Sequence, residues 1–168
     1  MKHTNQIILG VDPGTRITGY GIITTQSHSC QAVDFGCIMP PSTVALELRY
    51  LAIFQGIEAL IEKHKPDVLV VETQYVHKNV QSAIKLGMAR GAIVIAAAKN
   101  GVEVVSYAPT EAKSAVVGTG RASKQQVQSM VKALLGLKEL PTPEDAADAL
   151  ALAICHWNTC KLKKLTYV

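Results

Sequence analysis

An α/β fold with a mixed five-stranded sheet flanked by helices is the class that this 168-residue sequence predicts. Three observations carry it. Short apolar runs rich in β-branched residues are interleaved with longer segments of helical period. Three of the strand-like runs come first, close together, and read as an antiparallel meander. The run Asp67–Glu72 is nearly continuous in apolar residues, as in a parallel sheet covered on both faces.

Each element has its own signal. Ile7–Asp12 reads as a buried strand, followed by the turn Pro13-Gly14-Thr15. Gly19–Thr25 and Cys30–Ile38 complete the meander, and Pro40-Pro41-Ser42 breaks it. From 44 to 63, apolar residues at 44, 48, 51, 54, 57 and 59–61 give a helix, which Pro66 stops. Asp67–Glu72 is the fourth strand. Residues 79–99 form a long helix with Asn79 as its cap and two glycines, Gly87 and Gly91, on one face. A glycine inside a helix costs about 1 kcal/mol against alanine, so a close backbone neighbour is expected, either the sheet or a second subunit. Val102–Tyr107 is the fifth strand. Pro109 suits the first turn of a short helix, and Gly118-Thr119-Gly120 is a mobile loop. Ser123-Lys124-Gln125-Gln126 has the capping-box spacing, and Val127, Met130, Val131 and Leu134 give the next helix its apolar face. Gly136 ends that helix. Thr142-Pro143-Glu144-Asp145 opens another, and Lys161-Leu162-Lys163-Lys164 reads as a frayed basic end. One domain over 1–168 is expected, with 1–6 and 159–168 as flexible tails.

Composition narrows the class further. Hydrophobic residues make up 48% and charged residues 18%, the balance of a folded globular chain. Apolar runs such as Ala92–Ala98 fall far short of the roughly 18–20 residues of a membrane span. No signal-peptide core precedes the first strand, so a cytoplasmic location is expected and no membrane partner. Cys30, Cys37, Cys155 and Cys160 form no CxxC pair, which argues against structural zinc and for reduced, mostly buried thiols. Adjacent Cys155 and His156 on a helix point about 100° apart, so they make a poor ligand pair. The net charge of +4 is a mild basic excess. With several acids gathered in one place, the remaining surface is more basic than that total, which favours a nucleic-acid partner.

Four of the 13 acidic residues stand where surface decoration explains them poorly. Asp12 ends the run Ile7-Ile8-Leu9-Gly10-Val11, and Glu72 ends Val68-Leu69-Val70-Val71. Asp145 and Asp148 are three apart on a small-residue helix and share a face. Two have a plainer reading when taken singly, Asp12 as a turn aspartate and Asp145 as a capping acid, whereas a strand-end glutamate such as Glu72 in a parallel sheet faces the ligand edge. Together they suggest one edge of the sheet carrying about four negative charges. Like charges so placed raise one another's pKa, and hard divalent cations relieve the conflict. One ion with four carboxylates would be over-ligated, so two are expected. Two such ions about 3.5–4 Å apart can activate a water and stabilise the leaving oxygen of a phosphodiester.

These strings, in this order, resemble the RuvC-type crossover-junction endodeoxyribonucleases, the bacterial Holliday-junction resolvases. The strings are Gly10-Val11-Asp12-Pro13-Gly14 with Gly19-Tyr20-Gly21, Val71-Glu72 before Lys78-Asn79, Ser82 to Gly91, and Asp145-Ala146-Ala147-Asp148-Ala149-Leu150-Ala151. The likeness runs from Ile7 to about His156. It implies an RNase H-like fold, a homodimer, and a Mg²⁺-dependent site in each subunit, with Mn²⁺ as a substitute ion. It places metal-binding catalytic roles on Asp12, Glu72, Asp145 and Asp148. It implies paired symmetric nicks in a four-way DNA junction, leaving 5′-phosphate and 3′-hydroxyl ends, and work alongside the RuvA–RuvB branch-migration complex.

The same likeness points to supporting residues. Lys113 and Lys124 match family lysines near the scissile strand, where a cation steadies developing negative charge. Tyr75 stands where the family usually has phenylalanine; a ring there stacks on bases near the crossover. Ser123 departs from an acidic residue that often precedes the family lysine. Lys78, Lys85, Arg90 and Arg121, with Arg16 and His77, are candidate contacts to the DNA backbone. Two other functions share parts of this pattern. A sugar-kinase-type phosphotransferase needs a second glycine-rich phosphate loop and a second lobe, which this chain lacks. A non-catalytic junction-binding protein would be expected to lose carboxylates that are all present here.

Overall fold

The computed structural model describes residues 5–26, 28–73 and 79–166. Ten elements follow in order: β1 (Gln6–Asp12), β2 (Thr18–Thr25), β3 (Cys30–Ile38), α1 (Leu46–His64), β4 (Val68–Glu72), α2 (Val80–Lys99), β5 (Glu103–Tyr107), α3 (Pro109–Val117), α4 (Lys124–Leu135) and α5 (Glu144–Thr166). The sheet order is β3-β2-β1-β4-β5. β1, β2 and β3 pair antiparallel, and β1, β4 and β5 pair parallel. This is the mixed five-stranded α/β sheet expected from the sequence.

Local chemistry sets the element ends. Asn79 Oδ1 accepts the Ser82 amide at 3.1 Å and opens α2. Ser123 and Gln126 cap α4 reciprocally, at 3.2 and 2.8 Å. Gly136 ends α4 at φ 63°, a left-handed conformation that favours glycine. Lys65 takes a similar conformation, φ 48°, to end α1 just before Pro66.

Period-two alternation divides the core between the two faces of the sheet. Leu9, Val11, Ile22, Leu69 and Val71 face α1 and α2, where they meet Ile53, Ile57 and Ile93. Ile8, Ile23, Val68 and Val70 face the α3–α4–α5 side. Each aliphatic side chain buried this way contributes roughly 1.5–3 kcal/mol. The core stripe of α1 is Ile53-Ile57-Ile61, and Leu48 and Leu51 are half exposed. Leu48 and Leu51 are among the apolar positions whose period predicts this helix. An i, i+4 row of isoleucines covers the sheet instead, and the two leucines turn outward.

α2 has the length and apolar composition of a membrane span, unlike any run flagged from the sequence. In the fold, Ala89, Ile93, Ala96 and Ala97 are buried against the sheet and α1. Its opposite side exposes Val80, Ile84, Met88 and Ile95. α5 continues to Thr166, through residues expected to be a tail. Lys161 Nζ sits 4.3 Å over the Trp157 ring there.

Candidate active site

The strand ends come first. Asp67 latches one end of the β1–β4 pair: its Oδ2 accepts the Ile7 amide at 2.7 Å, and its amide donates to the Ile7 carbonyl at 2.9 Å. From there the register runs Ile8↔Val68 to Val11↔Val71. Asp12 and Glu72 are the next residues of their strands, so they end the pair level with one another. Alternation puts both on the face of Ile8, Val68 and Val70, the face that α5 covers. The turn after Asp12 is closed by Thr18, whose hydroxyl donates to the Gly14 carbonyl at 2.7 Å. A turn-closing role for Asp12 is therefore already filled by another side chain.

α5 reaches that face through glycine. A methyl group on Gly10 would lie 2.0 Å from the Ala149 carbonyl oxygen. One on Gly19 would lie 2.0 Å from the Asp145 carbonyl oxygen, and one on Gly21 would strike Leu150. Gly10 pairs with Gly21 across β1–β2, and Asp12 pairs with Gly19. From the helix side, Ala146, Ala147 and Ala149 are fully buried. Strand and helix backbones thus meet almost directly, and the first turns of α5 carry Asp145 and Asp148 to Asp12. By contrast, a methyl on Gly91 of α2 meets nothing within 4 Å among the described residues. Of the two neighbours expected for that glycine, the sheet is ruled out.

Electrostatics report the crowding. Burial, then the charges of Glu72, Asp148 and Asp145, push the Asp12 carboxyl up to about 8, against an opposing pull from Lys124. Burial and Asp148 raise Glu72, with Lys113 and Lys124 opposing. Burial raises Asp148, while Lys124 and Lys113 hold it down. A cleft of about 180 Å³ is lined by Glu72, Asp148, Lys113 and Lys124 together. A larger open groove, about 730 Å³, lies between α3 and α5 and holds none of the four carboxylates. We take the smaller cleft as the site, because it gathers the chemistry.

Six candidates are thereby brought together: Asp12, Glu72, Asp145, Asp148, Lys113 and Lys124. Among the described residues no three acids, histidines or cysteines already close on one point. Glu72 and Asp148 line the cleft, Asp12 and Asp145 stand near enough to act on one another electrostatically, and an ion would have to draw the four inward. The donor set nonetheless suits a hard divalent cation. It is all oxygen, and Asp12, Glu72 and Asp148 are pushed upward by burial and by neighbouring carboxylates, a conflict that positive charge would relieve.

The remaining candidates lie elsewhere. Lys85 is exposed on α2, and its carbonyl accepts the Tyr50 hydroxyl at 3.2 Å. Arg121 is exposed in the loop before α4. Arg90 is half-buried and turned into the fold, where Nε donates to the Glu72 carbonyl at 3.2 Å. Tyr75, His77 and Lys78 lie outside the described residues.

Two neighbours of the site had no signal in the sequence. Glu144 Oε2 lies 3.3 Å from Lys124 Nζ, a pairing that raises the lysine's pKa. Cys37, opposite Gly19 on β3, is a thiol pushed up to about 11 by burial, then by Asp145 and Asp12. None of the four cysteines forms a disulfide.

Known proteins align with this arrangement. Residues 8–156 match the family model described as crossover junction endodeoxyribonuclease RuvC. A crossover junction endodeoxyribonuclease RuvC of Protochlamydia amoebophila is 63% identical over 161 residues, 96% of each chain. The Thermus thermophilus RuvC structure superposes with a TM-score of 0.85 at 30% identity, over 94% of this chain and 96% of that one. The T. thermophilus RuvC in complex with Holliday junction substrate gives 0.88 at the same identity and coverage.

Proposed function

This chain belongs to the RuvC family of crossover junction endodeoxyribonucleases, and from that premise we propose that it resolves Holliday junctions in DNA recombination and repair by paired symmetric nicks. The observation that carries the reading is the grouping of Asp12 with Glu72, Asp145 and Asp148, the second and last of which line a cleft with Lys113 and Lys124. Asp12, Glu72, Asp145 and Asp148 hold Mg²⁺ there, two ions per subunit, with Mn²⁺ as a working substitute. When bound, such cations polarise the phosphodiester and make water a better nucleophile.

The chain's own groups do the rest. The four carboxylates set where positive charge stands relative to the cut bond. Lys113 and Lys124 oppose the site's negative charge and favour the entry of a phosphate. Glu144 keeps Lys124 on the cleft's rim. The buried strand ends exclude water from one side of the reacting group, while the open side admits the strand. Hydrolysis then leaves a 5′-phosphate and a 3′-hydroxyl.

A junction has two equivalent strands to cut, which calls for two sites related by a two-fold axis. A homodimer through α2 supplies them. Its exposed stripe Val80, Ile84, Met88 and Ile95 is apolar, and Gly91 leaves room beside it. The same surface gives α2's apolar composition a use other than lipid. Tyr75, Lys78, Lys85 and Arg121 then contact the junction arms, and the RuvA–RuvB complex is the partner that presents them. Such a substrate places the protein in the bacterial cytoplasm.

A labelled four-way junction incubated with Mg²⁺, Mn²⁺ or Ca²⁺ tests this. Symmetric cuts on two opposed strands are expected with Mg²⁺ or Mn²⁺. Equal cutting of the matching duplex, or cuts on one strand alone, would sink the reading.

A further inference from the structure

Arg90 differs from every other cation around the site. It stands on α2 between buried Ala89 and half-buried Gly91 and is itself half-buried. Its Nε donates to the Glu72 carbonyl oxygen at 3.2 Å, and its Nη2 donates to the Ser106 hydroxyl at 2.8 Å. Glu72 is the last residue of β4, and Ser106 is one short of the end of β5. The two strands pair there, Val71↔Ser106 and Glu72↔Tyr107. One guanidinium therefore bridges the carboxy-terminal ends of neighbouring strands. Its rigid fork of N–H groups suits two fixed acceptors at once, which an ammonium does poorly.

The bridge acts on backbone position. The charges that bear on the Glu72 carboxylate are those of Asp148, Lys113 and Lys124. Arg90 grips the same residue through its carbonyl. A second tie lies just beyond, where the Thr73 amide donates to the Tyr107 carbonyl at 2.8 Å. Both ties hold the end of β4 against β5 at the point where the Glu72 side chain leaves the sheet.

We propose that Arg90 is a positioning residue that, with Ser106, fixes the end of β4 so that Glu72 presents its carboxylate to a divalent cation. The proposal rests on the metal-dependent reading of the site given above. It takes Arg90 out of the set of DNA-contacting cations, where its sequence context had put it. Groups that orient a ligand from behind typically contribute 10–100-fold in metal affinity or activity.

The experiment compares full-length wild type with Arg90→Ala, Arg90→Lys and Ser106→Ala. Mn²⁺ affinity is read by calorimetric titration without DNA, junction binding in Ca²⁺, and cleavage under single turnover in Mg²⁺. For Arg90→Ala, Mn²⁺ affinity and cleavage rate should each fall about tenfold or more, with junction binding within about twofold of wild type. Arg90→Lys should not rescue either, because the charge returns without the fork. Ser106→Ala should move both in the same direction by about threefold, and it decides the question if Arg90→Ala fails to fold. Unchanged Mn²⁺ affinity in these variants overturns the proposal. So does a loss of junction binding that Arg90→Lys restores, since that marks a phosphate contact. A wild type that takes up no Mn²⁺ overturns the metal site itself, not the role of Arg90 within it.

Discussion

The two faces of the sheet obey different packing rules. Towards α5 the contact is backbone on backbone: Gly10, Gly19 and Gly21 meet the helix that carries Ala146, Ala147 and Ala149. Towards α1 and α2 it is aliphatic side chain on aliphatic side chain, with Leu9, Val11 and Leu69 against Ile53, Ile57 and Ile93. Side chains can repack around a changed neighbour, and backbones cannot. The face that must hold four carboxylates in fixed relation is therefore built from the part of the chain with the least freedom. The other face is held by side-chain packing, and the outer side of α2 exposes Val80, Ile84, Met88 and Ile95.

The contrast can be broken most severely at the site. Asp12→Asn should lower junction cleavage by about three orders of magnitude, roughly 4 kcal/mol of barrier, while junction binding in Ca²⁺ persists. Normal cutting by this variant in Mg²⁺ would remove Asp12 from the site.

Gly19→Ala should cost about 3 kcal/mol, a fall of roughly 6–12 °C in melting temperature, because the new methyl meets the Asp145 carbonyl. Calorimetry on wild type and variant checks this. An unchanged melting point would mean that α5 does not bear on the strands as described.

Asp12 also makes stability depend on pH in a defined direction. Its folded pKa is raised to about 8 from an ordinary 3.8. Its share of stability is thus fully present below about pH 4 and is lost as pH rises towards and through 8. Without metal, wild type should lose on the order of a few kcal/mol across that window relative to Asp12→Asn, and added Mg²⁺ should restore it. Parallel pH curves for the two proteins would refute this.

Smaller effects are expected on the opposite face. Ile84→Asp, at a position 58% exposed, should weaken dimerisation at least about tenfold and leave folding intact. Light scattering across a dilution series measures it. Within that monomeric background, Gly91→Ala should stabilise the chain by about 1 kcal/mol, since helix propensity improves and nothing obstructs the methyl. A destabilised Gly91→Ala monomer would show that the two faces are less different than their glycines suggest.

What the sequence made legible is what lies close along the chain. The caps at Asn79 and Ser123, the stops at Pro66 and Gly136, and the carboxylates ending Ile7–Asp12 and Asp67–Glu72 were all readable from neighbours within a few positions. The helix over Leu46–His64 was legible from its apolar period, but periodicity identifies an apolar stripe and not which part of it the sheet covers. Pairings between distant segments left no local trace. Lys124 with Glu144, Cys37 beside Asp12 and Asp145, and Arg90 with Glu72 and Ser106 each depend on how elements stack. The glycines of β1 and β2 were visible as part of a resemblance, but their reason, the approach of α5, needed the third dimension.

The span of sequence between the two halves of the site has a consequence for biosynthesis. Asp12 lies on the first strand and Asp148 on the last helix, 136 positions later (148 − 12). A ribosome making this protein releases β1, β2 and β3 long before α5 exists. Any chain interrupted before Glu144 lacks half of its carboxylates and cannot assemble the cleft, however well its sheet has formed.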